Sequence, residues 1–193
     1  MATYRLMLSV EEVKSRTAIH DNIDNKLIFP HIKAVQDLYI RPLLGSVLFD
    51  KMLTDASENN LDGVYKAIMD DYLVDAICNY VLSELPEGLN YQFWNKGLSK
   101  KTADGTAEPS MAEMYAIVAK YKKRGEHYAN ACRLHIMANI KDFPEYTQGG
   151  GVDRVYPDRT TFSSPFYLDE VDMRWGKANH DPNYNSNDPY TTP

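Results

Sequence analysis

The chain has 193 residues, with 21 basic and 27 acidic side chains, a formal net charge of −6 and 44% hydrophobic residues. The acidic balance argues against a protein whose main task is to grip nucleic acid, because phosphate binding needs a basic surface. The composition excludes a globally disordered chain. No apolar run reaches the roughly 18 residues of a membrane-spanning helix, and none is typical of a signal peptide, so we expect a soluble protein made in the cytoplasm.

Two helix-start signals open the chain. Ser9, followed three residues later by Glu12, forms a capping box that predicts a short helix to about residue 16. Asp24 can cap a second helix, in which apolar residues recur at helical spacing. Pro30 lies early in this second helix, so it either bends the helix or marks its true start.

A break and two further helices are predicted next. The stretch Arg41-Pro42-Leu43-Leu44-Gly45 indicates the break, because proline disfavours a helical residue before it and the glycine allows a tight turn. Ser46 is expected to cap a short helix. Asp62 is expected to cap a longer helix that ends near Leu85, where Pro86 stops it. The broad apolar stripe of this longer helix indicates contacts with neighbours on more than one side.

A long connection over residues 87–109 follows. Its Asp104-Gly105 pair is a turn signal, so the connection is predicted to form a loop or β-hairpin arm. Phe93 and Trp94 lie in the connection, and Trp94 is placed in a loop. Large amphipathic rings outside the core are enriched at protein interfaces, so both residues are candidate interface residues.

A second capping box, Ser110 with Glu113, opens the longest predicted helix, which runs to about Asp142 and ends before Pro144. Its side chains repeat at about 3.5-residue spacing, which predicts one packed face. That face comprises Met114, Val118, Tyr121, Gly125, Tyr128, Cys132, His135 and Asn139.

The composition changes at Thr147, where a tail begins that divides at Gly176 into an aromatic part and a polar end. Gly149-Gly150-Gly151 is a flexible joint. The large apolar residues that follow have no helical period, so they must pack on their own body or on a neighbouring subunit, and the joint and the tail's length favour the neighbour. The candidate interface residues of the tail are Val155, Tyr156, Phe162, Phe166, Tyr167 and Trp175.

The predicted fold is therefore mainly α. It is a helical bundle of about four to five helices with one long C-terminal helix, a loop or β-hairpin arm and an extended C-terminal tail. Residues 1–146 form the helical body, including the arm at 87–109, and residues 147–193 form the tail.

A metal site is one chemical hypothesis for the last helix. His127, Cys132 and His135 lie near one another in sequence, but zinc needs three or four converging ligands and no ligand motif completes the set. We therefore interpret all three as side chains that pack in the core or at an interface, and not as metal ligands. Cys78 is likewise expected to be a free, buried thiol. We therefore expect no enzyme, no cofactor and no metal.

A basic run on the same helix allows a nucleic-acid hypothesis. It comprises Lys120, Lys122, Lys123 and Arg124. Because these residues cover about one side of one turn, a solvated face or a salt-bridge strip to an acidic neighbour is favoured over a nucleic-acid patch.

Residues 24–53 carry a resemblance to a known class of proteins. The helix IKAVQDLYI, the break Pro42-Leu43-Leu44-Gly45 and the short helix VLFDKML resemble the N-terminal half of head–tail connector (adaptor, or ring) proteins of tailed bacteriophages. The likeness is greatest to those of crAss-like Bacteroides phages. Similar proteins continue with a helix, a loop arm, a long helix and an irregular C-terminal extension.

The resemblance implies a virion structural protein at the head–tail junction. Such subunits form a homo-oligomeric ring, usually dodecameric, that joins the portal to an adjoining ring, stopper or tail protein. Genomic DNA only passes through the channel, and an acidic lumen would keep it from sticking. The alternatives are a small helical metal-dependent enzyme and a DNA-packaging accessory factor.

Overall fold

The structure, a computed structural model, describes residues 5–94, 97–100, 110–148 and 155–159, with the backbone alone for 90–94 and 97–100. Its α-helices are α1 Val10–Arg16, α2 Asn25–Val35, α3 Arg41–Leu44, α4 Ser46–Ser57, α5 Gly63–Ile68, α6 Val74–Asn90, α7 Met111–Ala138 and α8 Pro144–Thr147. The predictions of a mainly α fold and of a helical bundle are confirmed. No helix in these ranges is both long and apolar enough to cross a membrane.

Side-chain caps start three helices where the sequence placed them. The Ser9 hydroxyl accepts a hydrogen bond from the Glu12 N–H at 3.1 Å, and Asp24 caps α2 in the same way. Ser110 and Glu113 form both halves of the box at the start of α7, because each side chain bonds the backbone N–H of the other. Satisfying these N–H groups stabilises the helix starts.

The predicted break before Pro42 is wrong. The backbone stays helical from α2 through a π-helical turn, Gln36–Ile40, into α3, and Arg41 itself is helical at φ −60°, ψ −46°. In the π turn the Arg41 N–H bonds the carbonyl of Gln36, five residues back. Proline has no N–H to donate, and its ring clashes with the carbonyl four residues earlier in a regular α-helix. The wider π turn relieves both constraints, so Pro42 can follow within the helical run. The run ends at Gly45, whose φ of +73° fits the predicted tight turn.

Ser46 does not cap α4, contrary to the prediction. It is the first helical residue, and Gly45 holds the cap position without a side chain. The backbone N–H of Ser46 instead donates to the carbonyl of Val155 at 3.0 Å. The Ser46 hydroxyl is buried and has no hydrogen-bond partner among the described residues.

The predicted stop at Pro86 is also wrong. Asp62 precedes α5 in an extended conformation without a side-chain cap bond. α5 then continues through a second π-helical turn, Met69–Leu73, into α6, which carries Pro86 inside it and ends at Asn90. A proline inside a helix costs about 3 kcal/mol. Because α6 packs against both α2 and α7, burial outweighs that local penalty.

The centre of the core is the seam between α6 and α7. The ring of Tyr80 stacks on Tyr39 with centroids 4.3 Å apart, and it also lies against the backbone of Gly125. The largest fully buried side chains are Tyr146, Phe49, Phe143, Leu8, Ile28, Ile32, Ile40, Leu44, Leu48, Met52, Ile68 and Leu73. The compact unit that holds this core extends to Arg159.

Two short strands follow α6. Strand β1, Tyr91–Trp94, pairs antiparallel with β2, Gly97–Lys100, and Trp94 lies opposite Gly97. Trp94 is thus the last residue of a strand and not a loop residue as predicted. The connection between these strands is not at Asp104-Gly105, which lie outside the described residues. After α7, a 3-10 turn at Ile140–Asp142 leads into α8, so the long helix ends four residues earlier than predicted.

Candidate functional site

Residues 155–159 lie along the body, and we call them the clip. The Val155 carbonyl accepts from the Ser46 N–H, and the Asp158 N–H donates to the carbonyl of Pro42 at 2.9 Å. Between these bonds, Pro157 packs on Gly45, where an added Cβ would lie 2.6 Å from Pro157 Cδ. The clip therefore contacts its own chain at the corner between α3 and α4, although the sequence assigned these residues to the tail.

The far end of the clip is fixed by arginine. Arg159 donates from Nη2 to the carbonyl of Tyr146 at 2.9 Å, and its guanidinium carbon lies 5.5 Å from the centre of the Tyr146 ring. Tyr146 is fully buried, and burial raises the pKa of its hydroxyl. An Arg133 nitrogen lies 3.9 Å from a carboxylate oxygen of Asp158. The clip is thus held by both backbone bonds and charge.

The predicted interface residues fall into three groups. Of the two clip residues, Val155 is half-buried and Tyr156 is 64% exposed. Phe93 and Trp94 are placed by their backbone on β1. The third group, Phe162, Phe166, Tyr167 and Trp175, lies outside the described residues. Among the predicted interface residues whose side chains the structure describes, Tyr156 is therefore the exposed one.

The three candidate metal ligands are not brought together. Cys132 is fully buried, and burial raises the pKa of its thiol to about 12. His127 is exposed, whereas the ring of His135 lies 5.3 Å from that of Tyr72. Among the described residues, no group of three or more His, Cys, Asp or Glu side chains could hold a metal ion.

The inner face of α7 largely follows the predicted pattern. Met114, Gly125 and Cys132 are buried, whereas Asn139 is exposed beyond the end of the helix. Ala129 and Ile136 are also buried and were missed. Ala129 lies four residues after Gly125, and Ile136 lies four residues after Cys132. A prediction that allowed a wider buried face would therefore have included both.

The side of α7 next to Asn79 of α6 carries a groove lined by basic side chains. Lys120, Lys123, Arg124 and His127 follow the spacing i, i+3, i+4, i+7, which places them on one side of the helix. The groove has a volume of about 620 Å³ and is lined by Asn79, Lys120, Lys123, Arg124, His127 and Tyr128.

The basic side chains of this groove are uncompensated. Within the described ranges, Lys120, Lys122 and Lys123 make no ion pair, and Arg124 lies 5.7 Å from the ring centre of Tyr121. Elsewhere in the body, Arg16, Lys33, Lys51 and Lys66 are each paired with a carboxylate one helical turn away. This stretch of α7 is therefore free to bind carboxylate or phosphate.

Apolar side chains flank the basic groove on the same side of the helix. Ile117 is 45% exposed and Leu134 is 55% exposed. We call the line formed by Ile117, Lys120, Arg124, His127, Ala131 and Leu134 the outer stripe of α7. The outer stripe was not predicted from the sequence, because its central residues are basic and it therefore does not form a continuous apolar pattern. Its residues nevertheless follow the alternating spacing of three and four positions that is typical of one helix face.

Residues 40–155 match a family model described as a family of unknown function, DUF6712. This match spans α3 to α8 and reaches the first residue of the clip. No curated protein and no solved structure is significantly similar to the chain. Because the match covers more than half of its length, the chain belongs to the DUF6712 family.

Proposed function

We propose that the chain is a virion structural protein: a subunit of the head-to-tail connector ring of a tailed bacteriophage. The ring joins the portal to the tail and leaves a channel through which DNA passes. The subunit acts by packing against copies of itself and against adjoining ring, stopper or tail proteins, and it turns over no substrate.

The observation that carries this proposal is the outer stripe of α7. Ile117 and Leu134 lie on a well-packed helix, yet about half of each side chain faces water in the single chain. Exposed apolar anchors beside charged groups are the composition of a protein interface, in which the apolar groups supply affinity and the charges set register. The basic groove between the anchors adds that charge.

The order of elements gives further support. The resemblance to connector proteins rests on residues 24–53, and these form α2, α3 and most of α4. Residues of this stretch, among them Ile32, Leu44 and Leu48, are fully buried in the core. The likeness therefore concerns the framework of the body and not one exposed helix.

Two finer parts of the proposal concern the arm and the tail. The β1–β2 hairpin with its connection to α7 serves as an arm toward a neighbouring protein, with Phe93 and Trp94 as anchors. The tail from Thr160 onward lies across an adjoining subunit, and Phe162, Phe166, Tyr167 and Trp175 are its anchors. Both proposals follow from the aromatic content of these segments.

The experiment is to measure the mass of the purified full-length chain by native mass spectrometry, alone and with the portal protein of the same genome. A discrete ring-sized oligomer, together with the chain's presence in purified virions, is expected. A chain that stays monomeric under both conditions and is absent from virions contradicts the proposal.

A second candidate function is a DNA-packaging accessory factor, and the basic groove favours it. Lys120, Lys123 and Arg124 line one groove, and lysine and arginine side chains commonly bind the phosphates of DNA. This function predicts DNA binding whose affinity falls steeply with salt and is lost in a Lys120→Glu/Lys123→Glu variant. An unshifted DNA band in low salt would reject it.

The metal-dependent enzyme is the weakest alternative. The buried thiol of Cys132 and the exposed ring of His127 do not converge on a common point. It predicts stoichiometric zinc in the purified protein that disappears in a Cys132→Ala variant. Protein that contains zinc at far below one equivalent would reject it.

A further inference from the structure

We infer that the outer stripe of α7 on one subunit docks on an acidic face of the next copy of this chain. That acidic face comprises residues 58–75, which run from the end of α4 through α5 and the following π turn to the start of α6. The inference rests on the proposed function, because it names the two surfaces by which neighbouring ring subunits meet.

The basic partner is a short, uncompensated stretch of α7. Residues 120–124 carry four cations and no acid; Lys120, Lys123 and Arg124 line the groove, and Lys122 lies on another side of the helix. All four cationic side chains are exposed, and none forms an ion pair with another described residue. Like charges that lie close together repel one another, and an acidic surface that binds them relieves this repulsion. Binding to the cluster is therefore more favourable than binding to an isolated lysine.

The acidic partner lies on the same chain. Residues 58–75 carry five acids and one lysine, so their net charge is −4 and is opposite in sign to that of Lys120, Lys123 and Arg124. Glu58, Asp62, Asp70 and Asp71 are exposed, and of these only Asp70 makes an ion pair within the described residues, with Lys66 at 3.3 Å.

The acidic face also offers apolar contact. Val64 is 41% exposed on α5. A groove of about 220 Å³ has Glu12, Lys66 and Asp70 on its walls. Leu61 and Val74 also line that groove. Ile117 and Leu134 flank the cations on the basic side, so each surface presents apolar groups beside opposite charges.

The second copy is favoured over DNA as the occupant because both complementary surfaces are present on every subunit. Two different surfaces that recognise each other form a heterologous contact, and such contacts close into rings when the rotation allows it. A nucleic acid would engage the basic groove but would be repelled by the acidic face and by the chain's net charge of −6.

The test is charge reversal of each surface in the full-length chain. The basic-side variant is Lys120→Glu/Lys123→Glu/Arg124→Glu, and the acidic-side variant is Glu58→Lys/Asp62→Lys/Asp71→Lys. Each variant alone brings like charges together at every contact. We therefore expect the dissociation constant of the assembly, measured by sedimentation velocity in low salt, to rise at least about tenfold. Lys26→Glu/Lys141→Glu, which changes exposed lysines elsewhere, is the control and should assemble normally.

Mixing the two variants gives the decisive measurement. In an equimolar mixture the acidic stripe of one variant meets the lysines of the other, and the basic stripe of the second meets the acidic face of the first. Assembly should return in the mixture and weaken as salt is added. Circular dichroism of each variant shows whether its helices are intact, and the mixing arm requires both variants to fold.

The outcomes separate the two proposals. If the wild-type chain forms rings and the reversed variants assemble as well as it does, this interface is wrong and the connector function stands. If the basic-side variant assembles normally but loses DNA binding, the groove serves nucleic acid and the inference is wrong. If the wild-type chain forms no oligomer, alone or with the portal, both proposals are wrong.

Discussion

The N–H of Ser46 and the carbonyl of Val155 are joined by a 3.0 Å hydrogen bond that links the start of α4 to a segment beyond the last helix. A helix start leaves several N–H groups without intrahelical partners, and side-chain caps usually satisfy one of them. Gly45 has no side chain to offer, so a carbonyl from the clip serves instead. The beginning of α4 therefore depends on residues that are distant in sequence.

A first prediction compares two truncated chains. A chain ending at residue 159 keeps the clip, whereas a chain ending at residue 154 loses the bonds of the clip to Ser46, Pro42 and Tyr146. We expect the shorter chain to have a free energy of unfolding lower by about 1–3 kcal/mol. Urea unfolding followed by circular dichroism measures the difference. Equal midpoints and slopes for the two chains would show that the clip adds no stability.

A second prediction uses two glycines with positive φ. Gly45 has φ +73° and ψ 158°, a region open essentially to glycine, and an added Cβ would meet Pro157 at 2.6 Å. Gly63 has φ +52° and open space around its Cα. Gly63→Ala should therefore lower the free energy of unfolding by about 1 kcal/mol and Gly45→Ala by about 3 kcal/mol or more. Thermal unfolding of the pair tests the order, and a larger loss in Gly63→Ala would contradict it.

A third prediction concerns the contact between α6 and α7. A Cβ at Gly125 would lie 2.8 Å from the ring of Tyr80, and that ring cannot move freely because it stacks on Tyr39. Gly→Ala inside a helix normally stabilises by about 1 kcal/mol, but here the overlap should reverse the sign. Gly125→Ala should unfold at lower urea than the wild type. Asn130→Ala, at an exposed position of the same helix, is the control and should be neutral or stabilising.

A fourth prediction concerns alkaline pH. Burial, followed by the hydrogen bond to Glu84, raises the pKa of Tyr39 to about 12, and burial followed by the bond to Glu145 does the same for Tyr65. An ordinary tyrosine has a pKa near 10, so the folded state favours the neutral hydroxyl. The stabilisation is complete below about pH 10 and is lost as the pH rises toward 12.

The measurement is the urea midpoint between pH 8 and pH 11. It should fall above pH 10 in the wild type and fall less steeply in Tyr39→Phe, which has no hydroxyl to ionise. Tyr115→Phe changes an exposed ring and is the control. A Tyr39→Phe variant that is as sensitive to alkali as the wild type would contradict the role of Tyr39.

The sequence predicted those helix starts that depend on nearby residues. Ser9, Asp24 and Ser110 form the expected caps because each partner lies within three positions along the chain. The predictions of a break before Pro42 and of a helix end at Pro86 were wrong because they considered only the neighbouring residues. Pro86 lies within α6, whose packing against α2 and α7 decides the conformation.

The candidate site was less accessible to sequence reasoning. The basic run of α7 was noticed, but its pairing with the flanking Ile117 and Leu134 emerges only when exposure is known. The clip could not be inferred, because nothing local to Val155 indicates that its carbonyl will meet Ser46. Contacts between residues distant in sequence carry no local pattern from which they could be read.

The two π-helical turns have a consequence for how the helical runs present their side chains. A π turn adds roughly one residue to a helical repeat, which advances every later side chain by about 100° relative to an uninterrupted α-helix. The turn at Met69–Leu73 thus divides one continuous run into two segments that are out of phase, with Ile68 and Val74 both buried on either side of it. Deleting a single residue there would restore a regular helix and rotate α5, with Asp62 at its start, against the rest of the bundle.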